Sequence, residues 1–224
     1  MNKDELRFKT LFLSELIEEE SDFFPLLSQE DEDKIDKEET PKTLPILPLR
    51  NTVLFPGVII PITIGRDKSI KLIKNTYKGN RTIGVLAQKD PNIEIPKKED
   101  LNSIGTVAHI LKMLRMPDGN ITAIIQGRKR FEIEEFVQTD PYFKAKINRL
   151  DEKRPEQNNK EFGALVDSVK DLALQIIEES PNIPTEATMA IKNIESPSFV
   201  INFVASNMNI SLAEKQILLE EVDL

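Results

Sequence analysis

The chain contains no cysteine and no tryptophan, and only one histidine, His109. Without thiols there are no disulfides and no thiolate metal sites, and a single imidazole cannot build a histidine-based metal cluster. A Ser-His-Asp triad would have to rest on His109, which sits in the alternating run VAHILKML, where a packed or surface strand position is the expectation. Phosphate-binding loops are missing too. Gly79 and Gly84 have the separation of a P-loop, but Val85 and Leu86 stand where Lys and Ser/Thr would meet phosphate and metal, and there is no GxGxxG. No serine is followed three residues later by lysine, although a Ser-Lys dyad drawn from distant positions stays open. The longest uncharged run, Ser196 to Ala213, is laced with Ser and Asn and fits an amphipathic helix better than a membrane span. The N-terminus is acidic and lacks the pattern of a signal peptide, so a cytoplasmic protein without membrane association is expected.

What the chain does have is an ordinary globular composition over 224 residues, 39% hydrophobic and 30% charged, enough to bury a core. Its net charge of -8 is localised. Residues 1–43 hold 14 of the 38 acidic and 6 of the 30 basic residues, which leaves 24 of each in the remainder. A neutral body gives no electrostatic bias toward nucleic acid.

Four segments follow from the punctuation. Residues 1–43 form an acidic leader, expected to be mostly disordered after a short helical start, because SQEDEDKIDKEET is too polar to offset the entropy of ordering. SDFFPLL within it has the look of a docking motif, though a few apolar residues in a tail explain it more simply. Residues 44–150 read as a β-domain with strands at Leu44–Pro48, Val58–Ile64, Thr82–Gln88, Gly105–Met116, Ile121–Gln126, Phe131–Thr139 and Phe143–Leu150. Met116-Pro-Asp-Gly-Asn120 is the clearest hairpin turn. One helix, capped by Asp67 and stopped at Lys78-Gly79-Asn80, interrupts the strands, a pattern that suggests a closed or half-closed barrel.

Residues 151–160 are a polar linker, and 161–224 turn helical. Phe162, Leu165, Val166, Val169, Leu172, Ala173, Ile176 and Ile177 recur at helical spacing. A short helix is expected at Thr185–Ile194, a third opens at Ser196-Pro197, and Ser211-Leu-Ala-Glu214 is a capping box for a fourth. The last helix shows no stop signal before Leu224, so the polypeptide is expected to continue as a long helix.

Two charged constellations invite chemistry. Glu132 and Glu134 share a strand face, as paired carboxylates would, but with Ile133 and Phe136 they fit a strand with one wet side better. Arg128-Lys129-Arg130 beside Phe131 suggests an RNA-facing edge, an idea outweighed by the nearby Glu132, Glu134 and Glu135. The apolar stretch LPILPLRNTVLFPG cannot be helical, because its prolines neither donate to a ladder nor continue a helix. It is expected to be an extended lead-in ending in a loop where Leu54 and Phe55 either cap the barrel or stay exposed to bind something.

At this point the residues resemble a known family. LPILPLRNTVLFPGVIIPITIGRDKSI, then IGVLAQKD, then GTVAHILKMLRMPDGNITAIIQGRKRFEI follow in order the N-terminal region of the ATP-dependent Lon proteases, over nearly all of 44–150. The ending LAEKQILLEEVDL is similar to the stretch that leads into a long helix there. The acidic leader lies outside the resemblance.

That resemblance implies an α+β fold, a PUA-like β-barrel with one embedded helix followed by an all-α bundle, placed ahead of an ATPase module and a Ser-Lys peptidase. Neither module is in these residues. The chain itself is therefore expected to be non-catalytic and to need no cofactor or metal, while ATP and Mg would belong to the full-length enzyme. The implied partners are unfolded, damaged or tagged proteins and the other subunits of a homohexamer. Leu54, Phe55, Met113 and Met116 are the candidate apolar contacts for substrate, methionine being flexible and polarisable. An element chiefly for assembly, or a stand-alone binding module for a small ligand or RNA, are the competing expectations.

Overall fold

In the computed structural model, which describes residues 35, 37–116, 120–155, 159–178, 192 and 194–223, six strands make one mixed sheet and helices follow it. The strands are β1 (Thr43–Leu49), β2 (Ile59–Ile64), β3 (Thr82–Ala87), β4 (Ile104–Arg115), β5 (Ile121–Gln138) and β6 (Phe143–Leu150). Helix α1 (Asp67–Tyr77) lies between β2 and β3, while α2 (Lys160–Glu178), α3 (Pro197–Asn207) and α4 (Leu212–Glu220) come after β6. This mixed sheet with helices is the α+β class that the resemblance implies.

The strand order is β2-β5-β4-β3-β1-β6, and β6 also pairs with β5. Pairing therefore runs round a closed circuit, β5-β4-β3-β1-β6-β5, with β2 added on the first half of β5. A single long strand makes this possible: Ile121 to Glu132 pairs with β4, whereas Arg130 to Gln138 pairs with β6. The sequence patterns suggest two strands here, separated at Gly127-Arg-Lys-Arg130. Instead a bulge absorbs the break, since Thr106 faces Arg130 while Ala108 already faces Gly127.

Among the described strands only β1 and β3 pair in parallel, and the intervening β2 and α1 supply the crossover that a parallel pair requires. As in other parallel pairs, β1 is buried on both sides. Leu44 and Ile46 pack with Leu86, Val107, Phe131, Ala145 and Ile147. Leu47 and Leu49 join a second cluster with Leu72 and Ile73 of α1 and with Ile83, Val85, Ile110 and Ile125 of the sheet. Gly84 serves the first cluster by being small, since a Cβ there would run into Ile46 and Phe131.

A third cluster crosses the expected boundary at 151–160. Val53, Phe55, Val58 and Ala87 from the β-region pack with Val166, Ile194, Phe199, Val200, Ala205 and Leu219 from the helical one.

Local signals at helix ends hold in α3 and α4. Ser196 caps α3 by accepting from Phe199 N with Pro197 in the first turn, and Ser211 and Glu214 form the reciprocal capping box of α4. At α1 the cap residue is Arg66 rather than Asp67, which is the first helical residue. Helix α4 does end, at Glu220; the chain beyond is extended, with Val222 O accepting from Lys153 N at 2.9 Å. Within the described residues the expected run into a long helix is thus replaced by a short parallel bridge between Lys153 and Asp223. The expected helix at Thr185–Ile194, the start of the leader and the turn residues 117–119 lie outside the described residues, apart from Lys192 and Ile194.

Candidate functional site

The loop after β1 decides whether its apolar side chains face water. Thr106 Oγ1 donates to Leu54 O at 2.5 Å, Gly57 N donates to Gly127 O at 3.0 Å, and Gly127 N returns a bond to Val58 O at 2.9 Å. The loop is stitched to β4 and β5, and Gly57 turns it with a φ of 78°. Gly127 admits the close approach, because a Cβ there would collide with the Phe55 carbonyl oxygen. Leu54 and Phe55 end up 2% and 0% exposed, Leu54 in the α1-side cluster and Phe55 in the cluster shared with the helices. The expectation that they form an exposed binding patch is corrected: they are core. Met113 is half-buried opposite Ala123 and packs against the same core. Met116 is half-buried at the end of β4, where its N donates to Asn120 O at 2.9 Å.

Exposed apolar surface lies on α2 instead. Asn159 starts this helix, its Oδ1 accepting from Glu161 N and Phe162 N at 3.1 Å each. Phe162, Val166, Val169 and Ala173 turn toward the shared core. Leu165, Leu172 and Ile176 do not: they are 61%, 59% and 64% exposed. Spaced seven and four residues apart, they lie along one side of the helix in a stripe about 16 Å long at the helical rise. At about 100° per residue the eight apolar positions spread over an arc of about 140°, and the three exposed ones lie together on one flank of it. The sequence marks these positions as apolar but carries no sign of which flank stays open. Ile217 and Leu218 on α4 add exposed apolar area at 66% and 39%.

The basic triplet of β5 is mostly taken up internally. Arg130 is 3% exposed and donates from Nε to Leu219 O at 2.8 Å, from Nη2 to Asn202 Oδ1 at 2.8 Å, and from Nη1 to Glu152. Glu152 in turn accepts from Ser198 Oγ at 2.5 Å. One guanidinium thereby ties β5 to the segment after β6, to α3 and to α4. Burial pushes the Glu152 carboxyl up, but the Ser198 bond, the charge of Arg130 and the bonds from Arg130 and Asn202 outweigh it and hold the group below the usual carboxylate range. Lys129 is buried and donates to Glu38 O at 2.8 Å. A continuous nucleic-acid edge is not what this triplet forms.

The remaining candidates are quiet. Glu132 and Glu134 are exposed on the wet side of β5. His109 is half-buried on β4, and burial together with the charge of Arg128 keeps its imidazole below its ordinary value. Among the described residues no group of three His, Asp or Glu side chains could hold a metal ion, and no helix is long and apolar enough to cross a membrane.

Similar proteins carry these observations further. The family described as the ATP-dependent protease La (LON) substrate-binding domain matches residues 43–224. The Lon protease of Flavobacterium johnsoniae is 61% identical over 200 residues, covering 89% of this chain and 24% of that protein. The Lon protease of Cytophaga hutchinsonii is 52% identical over 199 residues, again 89% of this chain and 24% of the relative. The chain thus spans about a quarter of the length of the curated relatives it matches. The N-terminal domain of the Mycobacterium avium complex Lon protease superposes with a TM-score of 0.66 at 21% identity, over 81% of this chain and 91% of that one. A Lon N-terminal domain protein from Xanthomonas campestris gives 0.59 at 17% identity, over 82% and 92%. At those identities the two structures speak for the fold alone. With the family match reaching from β1 past α4, and with relatives above 50% identity along 89% of its length, this chain belongs to the Lon substrate-binding domain family.

Proposed function

We propose that this chain is the non-catalytic region through which a Lon protease takes hold of unfolded or damaged protein, and that the exposed apolar stripe of α2 is the surface that does so. The stripe carries the reading. Three large aliphatic side chains in water cost free energy that a segment of nonnative polypeptide would offset, and segments of that kind are what a folded protein hides. Met116, half open at the end of β4, is a secondary contact, and Met113 supports it from the core side. The closed circuit of strand pairs is read as a PUA-like barrel that presents the helices.

Each contact of this kind is weak. In a homohexamer six copies would act together, and avidity would raise the affinity without any new contact. ATP, Mg and peptide cleavage belong, on this reading, to the remaining three-quarters of the full-length enzyme.

The stripe also favours a second reading, because positions seven residues apart on one helix suit packing against another helix. In that case α2 would contact a neighbouring subunit and serve assembly. Replacing Leu165, Leu172 and Ile176 together by serine separates the two. Loss of binding to an unfolded protein with unchanged oligomeric state supports recognition, whereas disassembly of the full-length enzyme supports packing. Unchanged binding and unchanged assembly would contradict both.

A further inference from the structure

Between the sheet and the helices lies a cavity of about 280 Å³. Five cationic residues line it, Arg128, Lys129 and Arg130 from β5, Arg149 from β6 and Arg154 from the segment beyond, against only two carboxylates, Asp151 and Glu152. Those two carboxylates are engaged: Glu152 by Arg130 and, at 3.7 Å, by Arg154, and Asp151 by Arg149. Among the described lining residues basic side chains thus outnumber acidic ones.

Arg128 is the residue that this excess leaves least satisfied. The β5 bulge brings it and Lys129 consecutively to the cavity, and both also line a neighbouring cavity of about 310 Å³ that Glu38 and His109 help to bound. Its one ion pair, to Glu38, is at 4.0 Å, the outer limit for such a contact. Its Nε is buried and has no hydrogen-bond partner among the described residues. Leaving a buried donor without an acceptor is unfavourable, and in a native protein such a group calls for an account, of which strain, a water and a bound ion are the usual ones.

We propose that this cavity is a docking site for acidic segments of polypeptide, with Arg128 as the side chain that receives the incoming carboxylate. The proposal rests on the reading that the chain holds protein substrates, and it names a chemical class among them. The rim already shows the chemistry: at Glu38 a main-chain carbonyl accepts from Lys129 Nζ at 2.8 Å while the carboxylate reaches toward Arg128. A carbonyl and a carboxylate held together are the signature of an acidic residue in a chain rather than of a small inorganic ion. The guanidinium has five N–H donors in a planar fork; its Nε is covered, so an incoming carboxylate would take two parallel bonds from the Nη1 and Nη2 end, which holds one contact at 4.0 Å.

The test is fluorescence anisotropy on the whole chain with a labelled peptide rich in Asp and Glu and with its Asn and Gln counterpart. The acidic peptide should bind, more weakly as salt rises, and the amide peptide should not. Arg128→Gln should weaken the acidic peptide about tenfold, the loss of one charge-assisted contact, and Arg154→Gln on the exposed rim should weaken it less. The thermal midpoint of each variant shows whether it is folded; if Arg128→Gln is not, Arg128→Lys, which keeps the charge and loses the fork, should still bind more weakly than the wild type. Equal binding of both peptides, or undiminished binding in folded Arg128 variants, would overturn the proposal. So would displacement of the peptide by inorganic phosphate at matched ionic strength, which would assign the cavity to a small oxyanion. A neutral unfolded protein run in parallel should bind wild type and Arg128→Gln alike; failure there would count against the apolar stripe, not against this cavity.

Discussion

Arg130 and Phe55 show how differently single residues can be read. Phe55 sits in a run of apolar side chains between prolines, which is compatible with burial or exposure; only the bonds that Gly57 and Gly127 exchange with their neighbours place it inside. Those bonds join residues 70 positions apart, and no local pattern carries them. Phe55→Ala should cost about 3–5 kcal/mol in urea unfolding, as expected for a fully buried aromatic ring, whereas Met116→Ala should cost about 1 kcal/mol or less. Arg130 looks like a surface cation in sequence and is in fact the tie between β5 and two helices. Arg130→Ala leaves Glu152 buried without its cation and should cost about 3–5 kcal/mol by the same measurement. The pH dependence follows from Glu152. Its folded value is depressed, so the unfolded chain binds the proton first, and the stability this group contributes is present above the ordinary carboxylate range and lost as pH falls through its lowered value. Glu152→Gln should flatten that acid limb of the stability profile; a limb of unchanged steepness would mean that other carboxylates set it.

At the level of elements, the strands were legible because alternation and turn residues are local. Five of the seven expected strand segments match observed strands to within one residue at each end, and the other two are joined because β5 runs unbroken. The basic triplet falls between two expected strands; the bulge and the Arg130 network carry β5 through it by giving the charges partners. Helix α2 was legible as a helix but not in its faces, because which apolar residues meet a core depends on what packs against it. Its exposed stripe makes a specific forecast. Serine at 165, 172 and 176 should leave the thermal midpoint nearly unchanged, since exposed positions usually contribute within about 0.5 kcal/mol each, while capture of an unfolded protein drops severalfold. A large fall in the midpoint would place these residues in a packed interface rather than on a binding surface.

For the whole molecule, the cluster shared by Val53, Phe55 and Val58 with α2, α3 and α4 matters more than the polar composition of 151–160. Two regions that share a buried core and a buried ion pair should unfold together, so calorimetry on this chain is expected to give one transition. Two separated transitions would mean that the sheet and the helices are energetically independent. Under the proposed recognition role the same coupling matters, because substrate held on α2 would stiffen a body that includes the sheet. The measurement that tests this account most directly is a titration of the purified chain with one labelled protein in its unfolded and its folded form, repeated with the Leu165, Leu172 and Ile176 serine variant. The account predicts binding of the unfolded form alone, and its loss in the variant. Equal binding of folded and unfolded forms, or undiminished binding by a folded variant, would contradict it.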